Sequence, residues 1–133
     1  MPFTSGKQAF LSILRQEGVS VMFGNPGTTE LPLMDGLARE PGIRYVLALQ
    51  EAPAIAMTDG YAQASGGLGA VNVHVSPGLG NAMGMLYDAY KAGSSMLVTA
   101  GQHDQCFTVT EPILWSDLPP VARPYVKLSL IHI

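Results

Sequence analysis

The chain has 133 residues, enough for one domain whose single core buries about two thirds of the unfolded surface. Charged residues make up 13% and apolar residues 47%, and the net charge is -3 without any basic block; this excludes proteins that read nucleic acid or anionic membranes through clustered Lys and Arg. Globular chains usually carry about 25% charged residues, so a surface this poor in charge is expected to be covered in part by another domain or subunit.

Thr4 or Ser5 can cap a first helix, on which Phe10, Leu11, Ile13 and Leu14 fall at helical spacing, with Gly18 as its stop. VSVMFG then reads as a buried strand, broken by Pro26 and Gly27 in NPGTTE, where Thr28 or Thr29 can cap a helix that begins near Glu30 and carries Leu31, Leu33, Met34 and Leu37. IRYVLAL is a second strand. Pro53 fits only the first turn of a helix, so the next one starts near Glu51 and runs to Gly66 and Gly67. GAVNVHV is a third strand, SPGLGN a turn, AMGMLYDAYKA a helix and SMLVTAG a fourth strand. From Gln102 the chain reads as irregular, with a short helix expected around Glu111 to Trp115. Strands alternating with helices predict an α/β fold, a parallel sheet with helices on both faces.

The single cysteine, Cys106, excludes an intrachain disulfide, fits a reducing cytoplasm and reads as a small buried hydrophobe. Met57, Met83, Met85 and Met96 read as core packing, and Asp59 with Gly60 as a contact between helices. No export signal and no run of 18 apolar residues is visible, so a cytoplasmic protein without a membrane partner is expected. The final LSLIHI, residues 128–133, is an apolar end without a turn or cap. It matches the translation of a sequencing-library adapter and is expected to be a non-native tail, in which His132 has no meaning.

In a parallel sheet, ligands bind in the crevice outside the carboxyl ends of the strands. Thr28 follows the first strand there, Glu51 the second, and His74 lies near the end of the third. Glu51 is the one charge between Leu47 and Met57, and burying it costs several kcal/mol unless something meets it. A ligand's heteroaromatic nitrogen would do so, as would a helix cap or an ion-pair partner. His74, between Val73 and Val75, fits a core histidine or, by its place, a group that gives and takes protons. Thr28 fits a helix cap or, with Glu51 and His74, a catalytic group facing one pocket. GLGNAMG (Gly78 to Gly84) has one residue too many for the dinucleotide fingerprint, and the histidines lack metal-ligand spacing with any cysteine or acid.

FGNPGTTELP (Phe23 to Pro32), LALQEAPAIAMTDGYAQASG (Leu47 to Gly66), NVHVSPGLGNAMG (Asn72 to Gly84) and VTAGQ (Val98 to Gln102) resemble the N-terminal pyrimidine-binding domain of thiamine-diphosphate-dependent enzymes. The benzoylformate decarboxylase branch is the most similar. The motifs keep the family's order and spacing from about residue 5 to Lys127, so residues 1–127 are expected to be this domain of a longer enzyme.

The resemblance implies a 2-oxo-acid decarboxylase, a carboxy-lyase inactive as this domain alone. It implies that Glu51 hydrogen-bonds the pyrimidine nitrogen of thiamine diphosphate and promotes the imino tautomer, which takes the thiazolium C2 proton. The carbanion then attacks the substrate carbonyl and carbon dioxide leaves. His74 is implied to move protons, Pro26 and Gly27 to lie against the pyrimidine, Asn81 to stand near the cofactor and Gln102 to line the pocket. Mg2+ and the diphosphate are implied to be held by a C-terminal domain, with the pocket formed between subunits of a dimer or tetramer. Where the decarboxylase branch has NPGS, this chain has Thr28, whose added methyl narrows the pocket and leaves the substrate open. An acetolactate-synthase-like carboligase is the alternative within the family. A nucleotide-binding module using the Gly78 to Gly84 turn, or a dimerisation domain, is the alternative outside it.

Overall fold

The computed structural model describes residues 4–131, so His132 and the end of the expected tail lie outside the described residues. Strands β1 (Val21–Gly24), β2 (Arg44–Leu47), β3 (Gly69–Val73) and β4 (Met96–Ala100) form one parallel sheet in the order β2-β1-β3-β4. The long helices are α1 (Gly6–Gln16), α2 (Leu31–Ala38), α3 (Glu51–Ser65) and α4 (Val75–Ala92); α5 (Gln105–Thr108) and α6 (Leu118–Ala122) are short.

Strand alternation sends successive residues to opposite faces, and both faces are covered. Met22 and Ala70 meet Leu11 and Leu14 of α1 and Leu37 of α2. Their neighbours Phe23 and Val71 point the other way, with Val73, onto Ala54 and Ile55 of α3, Leu79 and Ala82 of α4, and Leu118 of α6. The expected doubly covered parallel sheet is therefore the observed fold. Helix α1 starts where expected: the Ser5 hydroxyl accepts the Gln8 N–H at 3.4 Å, and the Gln8 side chain returns a bond to the Ser5 N–H at 3.0 Å.

The chain leaves β1 for α2 on one face and leaves β3, the adjacent strand, for α4 on the other. The carboxyl ends of β1 and β3 thus diverge, which opens a crevice at the topological switch point. Residues 25–29 and His74 border it. Among the described residues, no helix is long and apolar enough to cross a membrane.

The structure corrects five readings. SPGLGN is not a turn but the first part of α4, which begins at Val75. Pro77 is tolerated there because first-turn N–H groups have no intrahelical partner to lose. A glycine-rich turn for a nucleotide pyrophosphate is consequently absent from residues 78–84. The third strand ends at Val73 because Val75 takes φ 42°, a left-handed conformation rare for a β-branched residue and costing on the order of 1–3 kcal/mol. The short helix expected at 111–115 does not form: Glu111 and Leu114 have φ of 45° and 73°, and helices form instead at 105–108, capped by Asp104, and at 118–122. Cys106 is exposed on the single-turn α5 rather than buried, since one turn has no inner face broad enough to hide it.

Met57 is the fifth: it is exposed on α3, whereas Met83, Met85 and Met96 pack on the core from partly buried positions. Asp59 does tie α3 to the end of α4, accepting a bond from the Ser94 hydroxyl.

Candidate active site

Glu51 is the first residue of α3, with Gln50 as its cap: the Gln50 side-chain oxygen accepts the Ala52 N–H at 3.0 Å. Its position at a helix N-terminus favours a negative charge. The residue is buried at 8% exposure, and Oε2 accepts a hydrogen bond from Asn81 Nδ2 at 3.1 Å. Gly78, one turn before Asn81 on α4, lies beneath the carboxylate, and a Cβ there would stand 3.0 Å from Glu51 Oε1. Among the described residues no Lys, Arg or His pairs with Glu51. The structure thus answers part of the burial problem with an amide and a helix terminus, and leaves the acid free of a cation.

His74 occupies the N-cap position of α4. Its Nδ1 lies 2.8 Å from Glu30 Oε2 and 3.3 Å from Thr29 Oγ1, and its side chain keeps 24% exposure. The ring rests on Gly27, where a Cβ would come within 2.2 Å of Cε1. Only glycine at 27 admits the imidazole.

Glu30 escaped the sequence reading except as a helix start. It is 3% exposed, and its carboxylate takes the Gly27 N–H at 2.7 Å and the Thr29 hydroxyl at 2.6 Å as well as the His74 contact. The signal was an acid three residues after Gly27, at capping-box spacing; that a histidine 44 positions on would meet it is a tertiary fact. Gly27 rather than Thr28 is the N-cap of the single-turn 3-10 helix Thr28–Glu30. Thr28 is exposed and, among the described residues, takes no part in either set of hydrogen bonds.

The sequence-derived residues therefore gather as two sets. Glu51 joins Gly78 and Asn81, and His74 joins Gly27, Thr29 and Glu30, with Pro26 half-buried beside Gly27. Both sets meet the segment from His74 to Gly78, whose N–H donates to the His74 carbonyl at 2.8 Å. Gln102 belongs to neither. Its amide is bound to the Ser116 carbonyl at 3.0 Å, and it lines a separate cavity of about 780 Å³ with Leu79, Val98, His103, Trp115 and Leu118.

Behind the site, the Tyr45 hydroxyl is buried without a hydrogen-bond partner among the described residues. Burial, and then the nearby charge of Glu30, push its ionisation well above the ordinary tyrosine value of 10.0. The unfolded chain loses that proton as pH rises through about 10 while the folded chain holds it, so the ionisation of this group leaves stability unchanged below that value and lowers it increasingly above. Tyr45→Phe should flatten the alkaline fall in stability. At neutral pH it should raise the urea midpoint, by roughly 1 kcal/mol of stability, because an unpaired buried hydroxyl is removed. Urea titrations at neutral and alkaline pH check both.

The family model "Thiamine pyrophosphate enzyme, N-terminal TPP binding domain" matches residues 4–111. Benzoylformate decarboxylase of Pseudomonas aeruginosa is 38% identical over 122 residues, covering 91% of this chain and 23% of the relative. The acetolactate synthase large subunit of Lactococcus lactis is 41% identical over 126 residues, covering 95% and 22%. The solved benzoylformate decarboxylase from Polynucleobacter necessarius aligns with a TM-score of 0.90 at 36% identity, over 96% of this chain and 24% of that one. The chain spans less than a quarter of the length of these relatives. With its motifs and its parallel sheet, it belongs to the thiamine pyrophosphate enzymes, as their N-terminal, pyrimidine-binding domain.

Proposed function

We propose that residues 1–127 serve as the pyrimidine-binding part of a 2-oxo-acid decarboxylase dependent on thiamine diphosphate, and that residues 128–133 are a non-native tail. The observation that carries this reading is the buried Glu51 carboxylate, held by Asn81 and lacking a cation among the described residues. Such an acid fits a heteroaromatic nitrogen, to which it makes a charge-assisted hydrogen bond and with which it shares a proton. Pro26 and Gly27 would lie against the ring, and Asn81 fixes the carboxylate's direction. His74, with part of its ring open to solvent, would give and take the substrate's protons, and Thr28 would border the substrate. When bound, thiamine diphosphate supplies an electron-accepting ring that stabilises the charge left when carbon dioxide departs.

The diphosphate and its Mg2+ would be held outside these residues. A C-terminal domain and a neighbouring subunit of a dimer or tetramer would complete the pocket. Exposed apolar side chains at the carboxyl edge, Leu47 at 63% and Leu49 at 92%, are consistent with such a covering.

Acetolactate synthesis is the second reading, favoured by the 41% identity to the Lactococcus lactis enzyme. Product analysis separates the two. Joined to a matching C-terminal half and given thiamine diphosphate and Mg2+, the chain should convert benzoylformate to benzaldehyde and carbon dioxide. Acetolactate from pyruvate, with benzoylformate untouched, would overturn the decarboxylase reading in favour of the second.

A further inference from the structure

Neutral imidazole carries one proton, on Nδ1 or on Nε2, and the partner of one nitrogen fixes the role of the other. At His74 the partner set decides which. Glu30 Oε2, 2.8 Å from Nδ1, already accepts the Gly27 N–H at 2.7 Å, and Oε1 accepts the Thr29 hydroxyl at 2.6 Å. A carboxylate so placed is an acceptor at both oxygens. Thr29 Oγ1, having given its own proton to Glu30, offers Nδ1 only a lone pair at 3.3 Å. Every atom around Nδ1 therefore calls for a proton on it.

We propose that Glu30 is the positioning residue of this site, accepting the Nδ1 proton of His74 so that Nε2 is left with its lone pair as the atom that exchanges protons with the substrate. This rests on the role proposed for His74 above. In each exchange the Nε2 lone pair takes one proton from the substrate and later returns it, while Nδ1 keeps its own. The positive charge that the ring holds meanwhile faces the Glu30 carboxylate at hydrogen-bond distance, where it is best stabilised.

Gly101, just past β4, completes the device. A Cβ there would fall 1.6 Å from Glu30 Oε1 and 2.5 Å from Thr29 Oγ1. The backbone at Gly101 is fixed by its N–H to the Val73 carbonyl at 3.2 Å, so any side chain would drive the carboxylate away from the histidine. The volume that a side chain at residue 101 would take is occupied by the Glu30 carboxylate.

The test is the nitrogen-15 spectrum of the histidine rings in the full 133-residue chain, followed into alkaline buffer until the ring shifts stop changing, with His74 assigned by its loss in His74→Gln. Wild type should show the Nδ1–H form of His74 in roughly tenfold excess, whereas a free side chain favours Nε2–H. Glu30→Ala, which removes the acceptor, and Gly101→Ala, which keeps the carboxylate but displaces it, should each return the ring to the Nε2–H form, with the backbone amide spectrum reporting that the chain is folded. A wild-type His74 mainly in the Nε2–H form, or folded variants that both retain Nδ1–H, would overturn the assignment. The spectrum is read without cofactor or substrate, so its outcome is distinct from any failure of the proposed decarboxylase activity.

Discussion

Glu51→Gln should lower thiamine-diphosphate-dependent release of carbon dioxide about 10²–10⁴-fold, the range that a positioned acid–base group contributes. The substitution is nearly isosteric, and the glutamine carbonyl can still accept the Asn81 Nδ2 bond that now holds Oε2 at 3.1 Å, so the folded chain should be preserved. On the role proposed for Glu51, what is lost is a group that can hold and give up a proton at a ring nitrogen. The measurement is carbon dioxide release by the enzyme assembled with a matching C-terminal half, with urea titration as the control on folding. Full activity in a stable Glu51→Gln enzyme would remove Glu51 from the chemistry.

Gly24→Ala should destabilise the chain by an amount at the top of the ~1–3 kcal/mol range for overpacking, or beyond it. A Cβ at residue 24 would stand 2.2 Å from Tyr45 Oη and 2.6 Å from the Asn72 carbonyl oxygen. The tyrosine ring can turn aside, but the carbonyl cannot: Gly24 is paired with Asn72 in the β1–β3 ladder, and the same oxygen accepts the Asn25 N–H at 3.2 Å. Adding Tyr45→Phe should therefore recover part of the loss and leave the rest. Urea midpoints of the two single variants and the double variant measure this. Full recovery in the double variant would place the whole conflict at the hydroxyl.

The sheet was legible in the sequence because its strands are short apolar runs bounded by Gly and Pro, and because Pro53 and the caps of α1 and α3 act locally. The beginning of α4 was misread for an equally local reason. SPGLGN carries turn residues, yet its proline falls in a first turn and Gly78 is buried beneath Glu51, an arrangement that packing against α3 decides. Of the site, Glu51 and His74 stood out as polar residues among apolar ones. Glu30 did not, because an acid after two threonines at a helix start looks like a solvated cap; only the histidine arriving from the next strand but one makes it a buried partner. Cys106 and the helix expected at 111–115 failed where the chain runs along one edge and left-handed residues, rather than periodicity, set its path.

The opening turn of α4 has His74 at its start and Gly78 under Glu51 at its end. If the roles proposed for Glu51 and His74 hold, ring seating and proton delivery are bolted to the same short piece of backbone. A distant substitution that slides this helix along its axis cannot detune one without the other, so kinetic faults in the two functions should arrive together and be repaired together.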